Sequence, residues 1–312
     1  MSELSKHGFA PRATGSELLM DILNESLKVA GGRDCRGLVR FLKEKYLLYA
    51  RERPGSAGLF NTIRSILNYI RENGCTGVRE FVEGFRDRYD KALWAASEVM
   101  AKRVVDGDVV MTNSNSVAVR RLFEILVRNK VKFSVYVLES RPGMEGLVLA
   151  DYLDKLGVET YLVVDSAARF FMKNVDKVVS GAEAVAVNGA IVSKAGTSLM
   201  ALAASEARVR FFAIAPTLKI SLETIYGELV KLPEGDWRLL MDEETRRAMP
   251  EKYTARAPLY DVTPPNMVDG IATELGLYPP QSIPILVKTI YGTYPPQLKP
   301  LDTLFAELLG GG

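Results

Sequence analysis

From Asp106 onward, short β-branched and aromatic runs alternate with stretches whose apolar residues recur at helical spacing. That alternation restricts the chain to a parallel sheet covered by helices on both faces. Residues 108–112 read as a buried strand, and Val119, Leu122, Phe123 and Leu126 then give one helical face. A strand over 134–138 precedes a helix through Leu149, Leu153 and Leu156, stopped by Gly157. Strands over 160–164, 177–180 and 211–215 and a helix over 197–209 continue the series; 185–187 is a further β-rich run. Polar clusters follow the strands at 112–116, 139–146, 165–169 and 181–197. In a doubly wound sheet that is where ligands bind.

The first hundred residues follow another rule. Ile63, Ile66, Leu67 and Ile70 share a helical face, as do Leu93, Ala96 and Met100. Gly31-Gly32, the loop at 53–58 and Gly74 break the helices. The expectation is an α/β protein in two domains: a helical N-terminal domain over 1–105, then a doubly wound, parallel-sheet ligand-binding domain over 106–312. The net charge of +2 is uneven: residues 28–103 carry 16 Lys/Arg against 9 Asp/Glu. That excess suits anionic ligands, and it raises an RNA- or ribosome-associated factor as a third reading of function.

Several chemistries are excluded early. His7 is the sole histidine, which removes Ser-His-Asp, Cys-His and His-metal mechanisms. Cys35 and Cys75, forty residues apart and outside any CxxC pattern, read as two free thiols rather than a disulfide or metal pair. Neither GxGxxG nor GxxxxGK[ST] occurs, so no nucleotide cofactor is expected, and no metal. No apolar run is long enough to span a membrane, and no secretory signal opens the chain; a cytoplasmic protein is expected. Only two glutamines stand against 78 charged residues, a bias shared with proteins from hot environments.

The chain offers its own phosphate cradle. TNSNS at 112–116 runs from a strand into a helix, where free N–H groups favour an anion; simple N-capping explains it equally well. Arg53 and Arg141 each precede a proline in a loop, and Lys194 stands just before Gly196-Thr197 and a helix start. Glu183 lies between apolar segments, where a carboxylate needs a partner or a shifted pKa. Glu183 and Asp165 therefore read either as acid–base groups or as paired charges that organise loops.

Taken together, the segments 139–146, 165–197 and 260–280 resemble the family that unites methylthioribose-1-phosphate isomerase, archaeal ribose-1,5-bisphosphate isomerase and the alpha, beta and delta subunits of initiation factor 2B. The resemblance covers residues 36–292. It implies a helical domain before a Rossmann-like one, a homodimer or hexamer, and a phosphorylated sugar or nucleotide as ligand. The family's shuttle cysteine falls at Ser114 and its aspartate at Glu183. Its phosphate and sugar contacts, or residues that shape that pocket, fall at Arg36, Arg53, Arg141, Asn188, Gly189, Lys194, Gly196 and Thr197. A family glutamine is Glu145 here, and a family asparagine is Ser193.

Serine lacks the acidity of a thiol, and glutamate displaces the carboxylate by about one methylene. The GAE form resembles the initiation-factor subunits, whereas DSAARFFM and KAGTSLMALAASEARV resemble the bisphosphate isomerase. The departures lead to the expectation of an archaeal initiation-factor-2B-alpha-like protein that binds its ligand without isomerising it, with an archaeal translation initiation factor as partner. The alternative is an aldose–ketose isomerase that works through Glu183.

Overall fold

The computed structural model describes residues 14–30, 35–227, 230, 232–248 and 254–310. His7 and the Gly31-Gly32 break lie outside them. Four helices come first: α1 (Gly15–Val29), α2 (Arg36–Glu52), α3 (Ala57–Asn73) and α4 (Val78–Ala101). The alternating part follows as β1 (Asp108–Asn113), α5 (Val117–Arg128), β2 (Phe133–Leu138), α6 (Glu145–Lys155), β3 (Glu159–Val163), α7 (Ala168–Phe171) and β4 (Lys177–Gly181). Next are β5 (Ala184–Val185), β6 (Ile191–Lys194), α8 (Thr197–Ala207), β7 (Arg210–Ile214), β8 (Glu234–Gly235), α9 (Glu243–Ala248), β9 (Ala257–Pro258) and β10 (Tyr260–Thr263). The chain ends with β11 (Gly270–Thr273), β12 (Gly276–Tyr278), α10 (Ile283–Tyr291) and α11 (Leu301–Leu309).

The main sheet has the order β12-β11-β7-β4-β1-β2-β3, parallel except for β12. The order in which strands are added reverses between β1 and β4, so a crevice opens beyond their carboxyl ends. A smaller sheet, β10-β6-β5, stands over that crevice. Both faces of the main sheet are buried by apolar side chains. Val110, Val135, Val137 and Val179 join the core of the N-terminal helices, while Met111, Val178, Phe211 and Ala213 pack with α8 and α10. Helix α4 is the seam: Leu93, Ala96 and Met100 meet Ala118, Val119 and Leu122 of α5, and Ser97 Oγ donates to Ala118 O at 2.8 Å.

Two features depart from the sequence reading. Leu301, Leu304 and Phe305 of α11 return to the core of α2 and α3, with Phe305 5.5 Å from the Tyr46 ring. Cys35 and Cys75 form a disulfide, which corrects the expectation of two free thiols. The reason is tertiary: the start of α2 and the turn between α3 and α4 bring the two Cα atoms to 5.5 Å, within bridging range. Closing a 40-residue separation restricts the unfolded chain by about 4 kcal/mol in the loop-entropy account. We therefore expect Cys75→Ala, or reduction of the native chain, to lower the unfolding free energy by about 3–4 kcal/mol in denaturant titration. Equal midpoints with and without reductant would contradict the bridge.

Candidate functional site

At the crevice, β1 ends in Asn113 and the chain turns through Ser114 into α5. Ser114, Ser140 and Met144 all hold positive φ (62°, 67° and 58°), and Ser140 Oγ accepts from Ser114 N at 2.6 Å. Side chains knit the strand ends together. Asn113 Nδ2 donates to Thr197 Oγ1 at 2.8 Å, Thr197 Oγ1 donates to Lys194 O at 2.7 Å, and Ser180 Oγ donates to Asn113 Oδ1 at 3.1 Å. Ser193 Oγ donates to Gly181 O at 2.7 Å, which ties β6 to the end of β4.

The cavity has a volume of ≈ 50 Å³ and is lined by Arg53, Ser114, Glu145, Glu183, Lys194 and Lys219, among others. Four of the five charged side chains that line it form two pairs. Arg53, at the end of α2, faces Glu183 at 3.5 Å, with each side chain 11% exposed. Lys194, at the end of β6, donates to Glu145 Oε1 at 2.6 Å and lies 5.0 Å from the Tyr260 ring. Both carboxylates rest against glycines. A Cβ on Gly15, the first residue of α1, would come within 2.4 Å of the Glu183 carboxylate, and one on Gly143 within 2.3 Å of Glu145. Glu183 thus sits at the amino end of α1, where the helix dipole favours negative charge.

Lys219 escaped the sequence reading. It follows Pro216 in a short 3-10 turn and is 5% exposed, with its Nζ donating to Ala182 O at 2.7 Å. Burial pulls the proton affinity of this ammonium below the usual lysine range, partly offset by the Glu183 charge.

The structure places the other sequence candidates outside the cavity lining. Arg36 begins α2. Arg141 is exposed and donates to Leu240 O at 2.6 Å. Asn188 and Gly189 form the turn between β5 and β6, where Asn188 Oδ1 accepts from Ala190 N at 3.0 Å. Thr197 lies one layer back, behind Asn113. At Gly196 the amino end of α8 already holds a carboxylate: Asp261 Oδ2 accepts from Gly196 N at 2.8 Å, Ser198 N at 3.1 Å and Ser198 Oγ at 2.7 Å. Asp165 organises a loop, accepting from Ser140 N at 2.8 Å and Arg141 N at 2.6 Å. Among the described residues no cluster of His, Cys, Asp or Glu could hold a metal, and no helix is long and apolar enough to cross a membrane.

A Rossmann-like sheet with a helical N-terminal region and a charged crevice at its switch point defines a class of small-ligand α/β proteins. Within it, the chain belongs to the Initiation factor 2 subunit family, which matches residues 14–280. It is 36% identical over 256 residues to the ribose 1,5-bisphosphate isomerase of Archaeoglobus fulgidus, covering 80% of this chain and 79% of that one. It is 34% identical over 264 residues to the enzyme of the same name from Thermococcus kodakarensis, covering 80% and 81%. Among solved structures, the Pyrococcus horikoshii translation initiation factor eIF-2B superposes with a TM-score of 0.75 at 28% identity, covering 90% of this chain and 98% of that one. These relatives correct the expectation of a non-isomerising, initiation-factor-like binder: at 34–36% identity, over four-fifths of the chain, they carry the name of an isomerase.

The pairing of Lys194 with Glu145 generates a prediction. Glu145→Gln leaves a largely buried ammonium without its counter-charge, so the unfolding free energy should fall by about 1–3 kcal/mol. Inorganic phosphate should restore part of that loss in the variant and protect the parent chain less. Denaturant titration with and without phosphate reads both effects, and equal stabilities would show that the pair carries no charge balance.

Proposed function

We propose that this chain is a sugar-phosphate aldose–ketose isomerase of the ribose 1,5-bisphosphate type, with Glu183 as its proton-transfer group. Supporting the reading is the seat of Glu183: a nearly buried carboxylate beside Arg53, in a cavity at the switch point, in a chain whose relatives are named isomerases.

Aldose-to-ketose conversion oxidises C2 and reduces C1 of one molecule, with no net proton gained or lost. Because C1 carries the phosphate ester, the C1–O4 ring bond must also break. A single carboxylate that takes the 2-hydroxyl proton and delivers it to O4, while the C2 hydrogen passes to C1 as hydride, satisfies that balance. The absence of a thiol at Ser114 therefore does not forbid the reaction. Of the two carboxylates in the cavity, Glu145 is bound to Lys194, whereas Glu183 Oε1 is buried without a hydrogen bond and faces Arg53 at 3.5 Å. Glu183 is the one available to substrate.

With a volume of ≈ 50 Å³, the cavity is smaller than a pentose phosphate. Substrate must part the two ion pairs, and its phosphate is the natural competitor for Lys194 and Arg53. Closure of the charged groups around it would exclude water from the reacting carbons. Leu199 and Leu202, exposed on α8, supply an apolar face for self-association in the cytoplasm.

Incubation of the purified chain with ribose 1,5-bisphosphate and 5-methylthioribose 1-phosphate should yield a ketose phosphate from at least one of them. Glu183→Gln should lower kcat by about 10²–10⁴ while leaving the fold intact by circular dichroism. Absence of ketose product from either substrate, under conditions in which the protein is folded, would overturn the reading.

A further inference from the structure

The structure assigns a role to Lys219: we propose that it is a positioning residue for Glu183, holding both the backbone and the charge of that carboxylate. The proposal rests on the isomerase reading for its consequence in turnover, and on geometry for the rest.

A buried ammonium is costly to keep, and a methionine or leucine would fill the same space without that cost. Lys219 is 5% exposed, and its Nζ donates to Ala182 O at 2.7 Å. That carbonyl belongs to the peptide unit leading into Glu183. The N–H of the same unit donates to Val192 O of β6 at 2.8 Å. Both polar ends of the peptide plane are thus fixed, one by the sheet and one by Lys219, and the Cα of Glu183 with them.

Lys219 is itself held from the other side of the molecule. Asn61 of α3, 3% exposed, sends its Nδ2 to Leu218 O and Ile220 O, each at 2.8 Å. One amide therefore grips the two carbonyls that flank Lys219. Gly58 of α3 stands against the lysine stem, its Cβ position 3.6 Å from Cγ. The Ser221 N–H, donating to Val185 O at 2.8 Å, secures the segment to β5. Two cations consequently approach Glu183 from two directions: Arg53 from the end of α2, and Lys219 from a turn that α3 clamps.

The charged and titratable groups around Glu183 are Arg53, Lys219, the Glu145–Lys194 pair across the cavity, and Tyr89 of α4 behind Ser16. Tyr89 is buried and held above the ordinary tyrosine range by that burial, so it stays neutral. Removal of Lys219 subtracts one positive charge from this set and releases the Ala182 carbonyl.

The test uses the full chain with Lys219→Met, Lys219→Arg and Asn61→Leu. Lys219→Met should lower kcat at least about tenfold, leave KM within about threefold, and move the acidic limb of the kcat/KM profile upward by about one pH unit. Lys219→Arg, which keeps the charge, should keep the limb in place. A packing role alone would change thermal stability without moving the limb. An active parent whose Lys219→Met form keeps its kcat and its limb would overturn the proposal. If Lys219→Met does not fold, Asn61→Leu decides: a loss of kcat supports the clamp, and an unchanged kcat refutes it.

A parent chain inactive on every sugar phosphate would remove the isomerase reading and leave the proposal to a second measurement. Amide hydrogen exchange at Glu183, whose N–H donates to Val192 O, should be faster in Lys219→Met, or in Asn61→Leu where the methionine form is unfolded. Unchanged exchange at Glu183 would refute the role of Lys219 whatever the protein catalyses.

Discussion

Glu183 is attached to the sheet, yet its charge is balanced by groups that the N-terminal helices supply. Arg53 leaves the end of α2 to face it at 3.5 Å, Gly15 at the start of α1 lies against it, and Asn61 of α3 clamps the turn that carries Lys219. A carboxylate this enclosed is tolerable only with such partners, because an unpaired buried charge costs far more than any packing around it returns. The cavity therefore exists only when the helices are docked on the sheet. Core packing of α4 on α5 and of α11 on α2 and α3 thus bears directly on the chemistry of a site some distance away.

Carboxylates of the chain itself also meet its anion-binding groups. Asp261 occupies the amino end of α8 and Glu145 occupies Lys194, so two positions that look open to an anion already contain one. Such internal pairing keeps the charged groups ordered without ligand, and makes an incoming phosphate an exchange of anions rather than an addition. In such an exchange, the net gain is the difference between two charge-assisted contacts, which favours selectivity over raw affinity.

Much of this was legible in the sequence. Strands β1, β2, β4 and β7 are short β-branched or aromatic runs between helical periods, and the polar clusters that follow them announced the crevice. Arg53, Glu183 and Lys194 are readable because each stands out chemically in its segment, Ser114 only through the family resemblance, and the structure brings those four together. Lys219 was not. A lysine after a proline reads as solvated surface, and its burial comes from Asn61, whose partner Leu218 is 157 positions away. Asp261 was hidden for the same reason, since its partners lie across β6 on α8. The Cys35–Cys75 bridge depends on where two helices end in space, which spacing alone does not encode. The functional reading erred differently: the changes at Ser114 and Glu183 were weighed as lost chemistry, although a carboxylate that both accepts and returns a proton suffices for an isomerisation.

The central claim is that this pocket moves hydrogen within a sugar phosphate instead of merely holding one. The most direct measurement is 31P NMR of the folded chain with an equimolar amount of ribose 1,5-bisphosphate, followed in time. The expected result is decay of the aldose phosphate resonances and growth of those of the ketose bisphosphate, with no inorganic phosphate released. Unchanged aldose resonances in the presence of demonstrable binding would contradict it.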